Sequence, residues 1–262
     1  MPQEASFRDI QVRSSEIVIR EISVDDLWQS LREGYDDFNA KPSLGVFIFI
    51  TYSLFALILT LVLVGDNMLY LAFPMVAGLT FLGPVVSVAL CEMSRRRERG
   101  LELSWPLAFD FIHSYSFAPI LALSIVMMIL YFSWLFMAQF IYFDVFPNPP
   151  ASVSDFVNQL VTTRKGVGLI VYGNSVGFIF AFTAFAISVV AFPLLLDKPT
   201  SLATAARVSV RAVLSNPVVM AVWGIIVVLL LAAGAIVFLI GLALVLPVLG
   251  HATWHLYRKL IE

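Results

Sequence analysis

Long apolar runs alternate with short polar stretches along this chain. Four runs are plain, at about 43–64, 68–93, 117–143 and 168–196. Each is as long as the roughly 20 helical residues that a hydrocarbon core about 30 Å thick demands. A fifth apolar stretch reaches from Pro217 to Gly250. As one helix it would measure about 50 Å, too long for one crossing even when tilted. The pattern therefore predicts two spans there, about 217–235 and 238–258, joined by a tight turn near "GAIVFLIG". The expected fold is all-α: a polytopic bundle of six transmembrane helices over residues 23–262, with 1–22 as a cytoplasmic tail.

Between the spans the hydrophobic period shortens to that of amphipathic helices. In "SVDDLWQSLREGYDDF", Ser23 is a helix N-cap with Asp26 three residues on, and Val24, Leu27, Leu31, Tyr35 and Phe38 form one stripe. In "SWPLAFDFIHSYS", Ser104 is the cap and Pro106 sits in the first turn, where its missing N–H does no harm. In "TSLATAARVSVRAVLSN", Thr200 or Ser201 caps a stripe of Leu202, Ala206, Val210 and Val213. These segments are expected along the cytoplasmic interface or packed under the bundle. Each leads to a proline at a span's mouth (Pro42, Pro119, Pro217), and each following pair of spans carries an inner proline (Pro84, Pro193, Pro247).

"PVVSVALCEMSRR" overlies "PVLGHATWHLYRK" without a gap, setting Val88 against His251 and Glu92 against His255. Two accounts fit. One is three copies of an interfacial helix plus a hairpin. The other is that any hairpin rising from a basic cytoplasm shares this look.

Charge tests the span count. With six spans, fourteen Lys and Arg fall on one side, and only Arg164 and Lys165 on the other. Merging the last two spans would give 12 against 4. The positive-inside rule favours six, with both termini cytoplasmic and the 65–67 turn and the 144–167 loop outside. Composition agrees: 60% hydrophobic and 13% charged residues belong to a membrane protein. A net charge of −2 without a basic tract gives nucleic acid no electrostatic hold. One cysteine, Cys91, rules out an internal disulfide framework. The amino terminus lacks the apolar core of a cleavable signal peptide, so the first span is expected to direct targeting.

The candidate chemistry is sparse. His251 and His255 are one helical turn apart and could share a metal, but Ala252 stands where a metalloprotease helix has its glutamate. Further ligands would have to come from His113, Glu92, Asp110 or Cys91. Haem is worse served, because its axial ligands approach from opposite faces. The plainer account puts both histidines at headgroup depth beside Trp254 and Tyr257, where glutamine would replace them with little loss. Glu92 ends the second span and is a functional suspect as an intramembrane acid. Arg95 and Arg96, three and four residues on, offer it ordinary helical ion pairs. Asn174 and Ser175 can be satisfied by helix packing, and Gly78, Gly83, Gly234 and Gly241 suit close helix contact. No phosphate loop or Gly-x-Ser-x-Gly is present, and the span centres are nearly all apolar. No cofactor, catalytic residue or enzymatic activity is therefore expected.

With "DDLWQSLREGYDDF", "PMVAGLTFLGPVVSVALCEMSRRRERG", "AFPLLLDK" and "LPVLGHATWHLYR", the chain resembles a bacterial family of integral membrane proteins catalogued as a domain of unknown function. Some members carry the label of cytochrome c oxidase subunits. The likeness runs from about residue 23 to the end. It departs at Tyr35, where tryptophan is common in the family. A haem–copper catalytic subunit needs about six histidine ligands, and this chain has three histidines. What survives is an accessory or assembly role in the bacterial inner membrane, near a respiratory oxidase. The alternative is a small-molecule or lipid transporter acting as an oligomer. The first expects a membrane-protein partner, the second a homo-oligomer with a polar cavity.

Overall fold

A computed structural model of the chain describes residues 17–42, 69–104, 106–147, 152–236 and 241–262. The expected span at 43–64 and the turn at 65–67 lie outside these residues. The described part is built from helices: α1 (Val24–Ala40), α2 (Ala72–Gly78), α3 (Gly83–Glu98), α4 (Phe117–Val145), α5 (Val153–Thr162), α6 (Arg164–Ser188), α7 (Ala191–Asp197), α8 (Leu202–Ser215), α9 (Pro217–Ile236) and α10 (Leu242–Leu260). Short 3₁₀ turns occupy Leu69–Leu71, Leu79–Leu82 and Pro106–His113. The chain divides into two compact units, one of 1–51, 83–125 and 185–262, the other of 52–82 and 126–184.

Among the described residues, four helical runs are long and apolar enough to cross a membrane: Ala72–Glu98, Phe117–Val145, Arg164–Asp197 and Pro217–Gly234. They correspond to the second to fifth expected spans. The sixth, about 238–258, is found as α10, but it is not among these four. Its second half carries His251, His255, Arg258 and Lys259, which dilute its apolar character. The long apolar stretch does divide, since α9 ends at Ile236 and α10 begins at Leu242. Gly234 and Gly241 flank that division, and a Cβ on Gly241 would lie 2.7 Å from the Gly234 Cα.

The three inner prolines act differently. Pro84 cannot donate to the Thr80 carbonyl, and the turn before it tightens to 3₁₀ over Leu79–Leu82. Pro193 likewise leaves the Val189 carbonyl without its helical donor, and the helix breaks between α6 and α7. At that break the Val190 N–H donates instead to Ser209 Oγ at 3.1 Å. Pro247 lies inside α10 with helix on both sides.

In the unit holding 126–184, Trp134 donates to the Pro74 carbonyl at 2.9 Å. Gly78 is pressed to the Tyr131 ring, where a Cβ would come within 2.7 Å. Tyr70 stacks on Tyr142 at 4.2 Å between centroids. The expected 144–167 loop is not wholly loop. Ser152 caps α5, whose Phe156 packs edge-on to Tyr142 and Phe146. Asn174 and Ser175 donate to carbonyls of their own helix, at Ile170 and Val171, rather than across to a neighbour. Among the described residues nothing approaches a Cβ built on Gly83 within 4 Å.

The other unit gathers α1, α3, α7, α8, α9 and α10. Two sequence expectations change here. The second amphipathic segment is a 3₁₀ turn, Pro106–His113, not an α-helix. In α8 the buried residues are Ala205, Val208, Ser209, Ala212 and Val213, so of the expected stripe only Val213 is fully buried. The end of the expected tail is anchored. Ile19 bridges Ile261, the Arg20 N–H donates to the Leu260 carbonyl at 2.9 Å, and Glu262 N–H donates to Val18 O at 3.2 Å.

Candidate functional site: a buried carboxylate clamp

α1 begins with the capping box that the sequence announces. The Asp26 N–H donates to Ser23 Oγ, and the Ser23 N–H donates to Asp26 Oδ2 at 2.8 Å. These bonds, the backbone one first and the hydroxyl's next, hold the Asp26 carboxyl below the usual carboxylate range. Four residues at helical spacing then face inward: Leu27, Ser30, Gly34 and Asp37. That face is small and polar rather than the expected stripe, of which Leu27 alone is fully buried and Val24 and Tyr35 are exposed.

This seam meets α10 running antiparallel. Lys259 Nζ lies 3.1 Å from Glu33 Oε2, and further along both helices Asp37 meets His255. Between them Gly34 approaches the Ala252 backbone so closely that a Cβ would fall 2.6 Å from its nitrogen. On the neighbouring side of α10, Gly250 fits under Leu90 of α3, and Cys91 Sγ is 3.6 Å from the Gly250 carbonyl.

Asp37 is the centre. Its Oδ2 accepts from Ser94 Oγ at 2.5 Å and from His255 Nε2 at 2.8 Å, and its Oδ1 accepts from Arg97. Ser94 Oγ also lies 2.8 Å from His251 Nδ1. Because the serine hydrogen is given to Asp37, its oxygen is left to accept, which puts the histidine proton on Nδ1. Asp37, Ser94 and His251 are 7%, 1% and 4% exposed, so water cannot substitute for these bonds. Burial alone would raise the Asp37 carboxyl. Hydrogen bonds from His255 and Ser94, with Arg97 beside them, outweigh burial and lower it to about 2. It is a carboxylate at neutral pH.

His255 is held from both sides. Its Nε2 faces Asp37, and its Nδ1 lies 3.3 Å from Glu33 Oε2. The two ring nitrogens thus face carboxylates on two turns of α1. Further along, Trp254 and Arg258 donate to Glu98 at 2.9 and 3.1 Å. Tyr257 donates to Asp197 at 2.8 Å, and Arg99 reaches the same carboxylate at 3.1 Å. α10 is thereby tied by charged bonds to α1, α3 and α7.

The structure sorts the sequence candidates. His251 and His255 come together, but on Asp37 rather than on Glu92. Glu92 is 1% exposed and receives Arg95 Nε at 2.8 Å, with Arg96 at 3.7 Å, as the ion-pair reading expects. Asp110 faces Arg96 at 3.7 Å. His113 ends an exposed 3₁₀ turn. Cys91 is buried. No group of three His, Cys, Asp or Glu among the described residues is placed to hold a metal ion. Serine, histidine and aspartate do meet, yet not in the order of a nucleophilic triad. The histidine should stand between the other two; here Ser94 stands between, with its oxygen buried. The arrangement can fasten helices; it cannot present an attacking oxygen.

Asp37, Glu33, Ser94 and Arg97 are not among the sequence candidates, because only the packing of α1 and α3 against α10 brings them together. A signal does exist. Ser30, Gly34 and Asp37 recur at helical spacing, as do His251, His255 and Lys259, and the two sets are complementary.

Neither the curated proteins nor the solved structures contain a match to this chain. Residues 72–197 match the model of a family described as "Predicted integral membrane protein (DUF2189)". That stretch holds three of the four candidate spans, the Glu92 ion pairs and the α3 side of the clamp. Over these residues the chain is similar to that integral membrane family of unknown function.

Proposed function

We propose that this chain is a non-enzymatic accessory or assembly protein of the bacterial inner membrane, with both termini in the cytoplasm, packed against a larger membrane complex. A respiratory oxidase is the first complex to examine, on the resemblance noted above. One observation carries the reading: the polar groups of the described site are spent on one another. Asp37 takes donors from three side chains, and Glu92, Glu98 and Asp197 are each held by arginine. A substrate site leaves groups waiting for a ligand; a scaffold does not.

A membrane-facing surface is also at hand. On α4, Phe132, Phe136 and Phe140 recur every four residues and are strongly exposed, while Met127, Tyr131 and Trp134 on the other side are buried. Such a ridge suits packing against another membrane helix. The test is purification from the native membrane in mild detergent, followed by mass spectrometry. Stoichiometric subunits of one membrane complex support the reading. A chain that purifies alone as a homo-oligomer, and moves a solute when reconstituted, would replace it with the transporter.

A further inference from the structure

α1 has three faces, and among the described residues and water only two of them find their partners. Leu27, Ser30, Gly34 and Asp37 meet the bundle. Asp25, Gln29, Arg32 and Asp36 are exposed and suited to water. Between these faces, about a quarter turn from the seam, lies a third row of Val24, Trp28, Leu31, Tyr35 and Phe38. Val24, Trp28 and Tyr35 are 40%, 59% and 48% exposed, and Leu31 and Phe38 are half-buried.

A helix bathed only in water would roll to bury that row. α8 is oriented that way, with Ala205, Val208 and Ala212 inward and Arg207 and Arg211 outward. α1 cannot roll. Turning Trp28 inward would pull Asp37 from Ser94, His255 and Arg97, and would break the backbone approach of Gly34 to Ala252.

We propose that this row rests on the lipid bilayer at the boundary between headgroups and acyl chains, making α1 an interfacial helix gripped from one side by α10. Two features select lipid over a protein partner. α1 ends at Ala40, and after Lys41 and Pro42 the sequence enters the apolar run at 43–64, so the row ends within a few residues of hydrocarbon. Its exposed members include Trp and Tyr, whose amphipathic rings favour the headgroup level. The three faces then each have a medium: protein, water and lipid.

The test is a spin-label scan of the full chain in vesicles of phosphatidylethanolamine and phosphatidylglycerol. Cysteine is placed singly at 25, 28, 29, 35 and 36, and wild type is the labelling control because its single cysteine, Cys91, is buried. The expected result is that labels at 28 and 35 relax severalfold faster with oxygen than with a water-soluble nickel complex. Labels at 25, 29 and 36 should show the reverse. Preference for nickel at 28 and 35 would mean that the row faces water. Shielding from both reagents would mean that protein, a second copy or a partner, covers it. Either result overturns the proposal. Positions 28 and 35 are exposed, so neither substitution removes a packed side chain, and each checks the other.

Discussion

Gly34 and Ala252 meet backbone to backbone. A Cβ added to Gly34 would lie 2.6 Å from the Ala252 nitrogen and 2.8 Å from its Cα, well inside contact distance. No side chain can swing aside there, because the obstacle is the main chain of α10. Gly34→Ala should therefore destabilise the protein by about 1–3 kcal/mol through overpacking, even though alanine gains about 1 kcal/mol in helix propensity. Gly173→Ala is the control, since among the described residues nothing lies within 4 Å of a Cβ there. Thermal unfolding in detergent should separate the two variants by several degrees. Equal melting temperatures would show that α1 does not sit on α10 this closely.

Asp37 should give acid stability a recognisable limb. Its folded carboxyl titrates near 2, against an ordinary 3.8. A lowered value stabilises the fold above the ordinary value, and that contribution is lost as pH falls from about 4 towards 2. The shift corresponds to about 2 kcal/mol. The difference in unfolding free energy between wild type and Asp37→Asn should shrink by that amount across this window. At neutral pH, Asp37→Ala should cost about 1–3 kcal/mol, because Ser94 and Arg97 lose the acceptor they share. A difference that does not change between pH 5 and pH 2 would remove Asp37 from the centre of the clamp.

The histidine pair calls for a revised expectation. As interfacial groups, His251 and His255 would accept glutamine with little loss. In the structure His255 joins Asp37 to Glu33, and His251 completes Ser94. Glutamine at 255 cannot present a ring nitrogen to each of two carboxylates as the imidazole does. The double substitution should cost about 1–3 kcal/mol, with His255→Gln giving the larger share. Metal analysis of the purified protein should find no stoichiometric zinc, copper or iron, and no Soret band. About one metal per chain, lost on double substitution, would instead make this corner a metal centre.

Much of the helical layout could be read from the sequence because its cause is local. Apolar length gave the four candidate spans, Ser23 with Asp26 gave the start of α1, and the apolar stretch after Pro217 divided near its glycines. What could not be read depends on which helix lies beside which. The α1 stripe could lie along the interface or pack under the bundle, and its pattern alone does not choose between them; a clamp on Asp37, distant in sequence from His255 and Arg97, sets the rotation. Glu92 was correctly given to Arg95 and Arg96, neighbours on its own helix. Its match to His255 in the repeat alignment did not become a contact, because equivalent positions in repeated hairpins need not touch. Pro84, Pro193 and Pro247 show the same limit: one residue type yields a 3₁₀ turn, a break and an unbroken helix.

The topology rests on Arg20. Its N–H donates to the Leu260 carbonyl at the end of α10, and its own carbonyl accepts from Asn216 Nδ2, immediately before α9 begins. One residue thus joins the first end of α9 to the last end of α10. The two helices are 20 and 19 residues long, about 30 and 28 Å. If α9 crosses the bilayer, α10 must return the whole way, although its charged second half keeps it from matching the other spans in apolar character. That half has its charges paired with α1, α3 and α7, as polar groups within a membrane bundle require. Together with the excess of Lys and Arg on one side, this favours six crossings and cytoplasmic termini. Reporter fusions at 97, 205 and 262 should read as cytoplasmic, and one at 155 as external. An external reading at 262 with a cytoplasmic one at 205 would mean that α9 and α10 do not form a returning pair, and the six-span topology would fall with it.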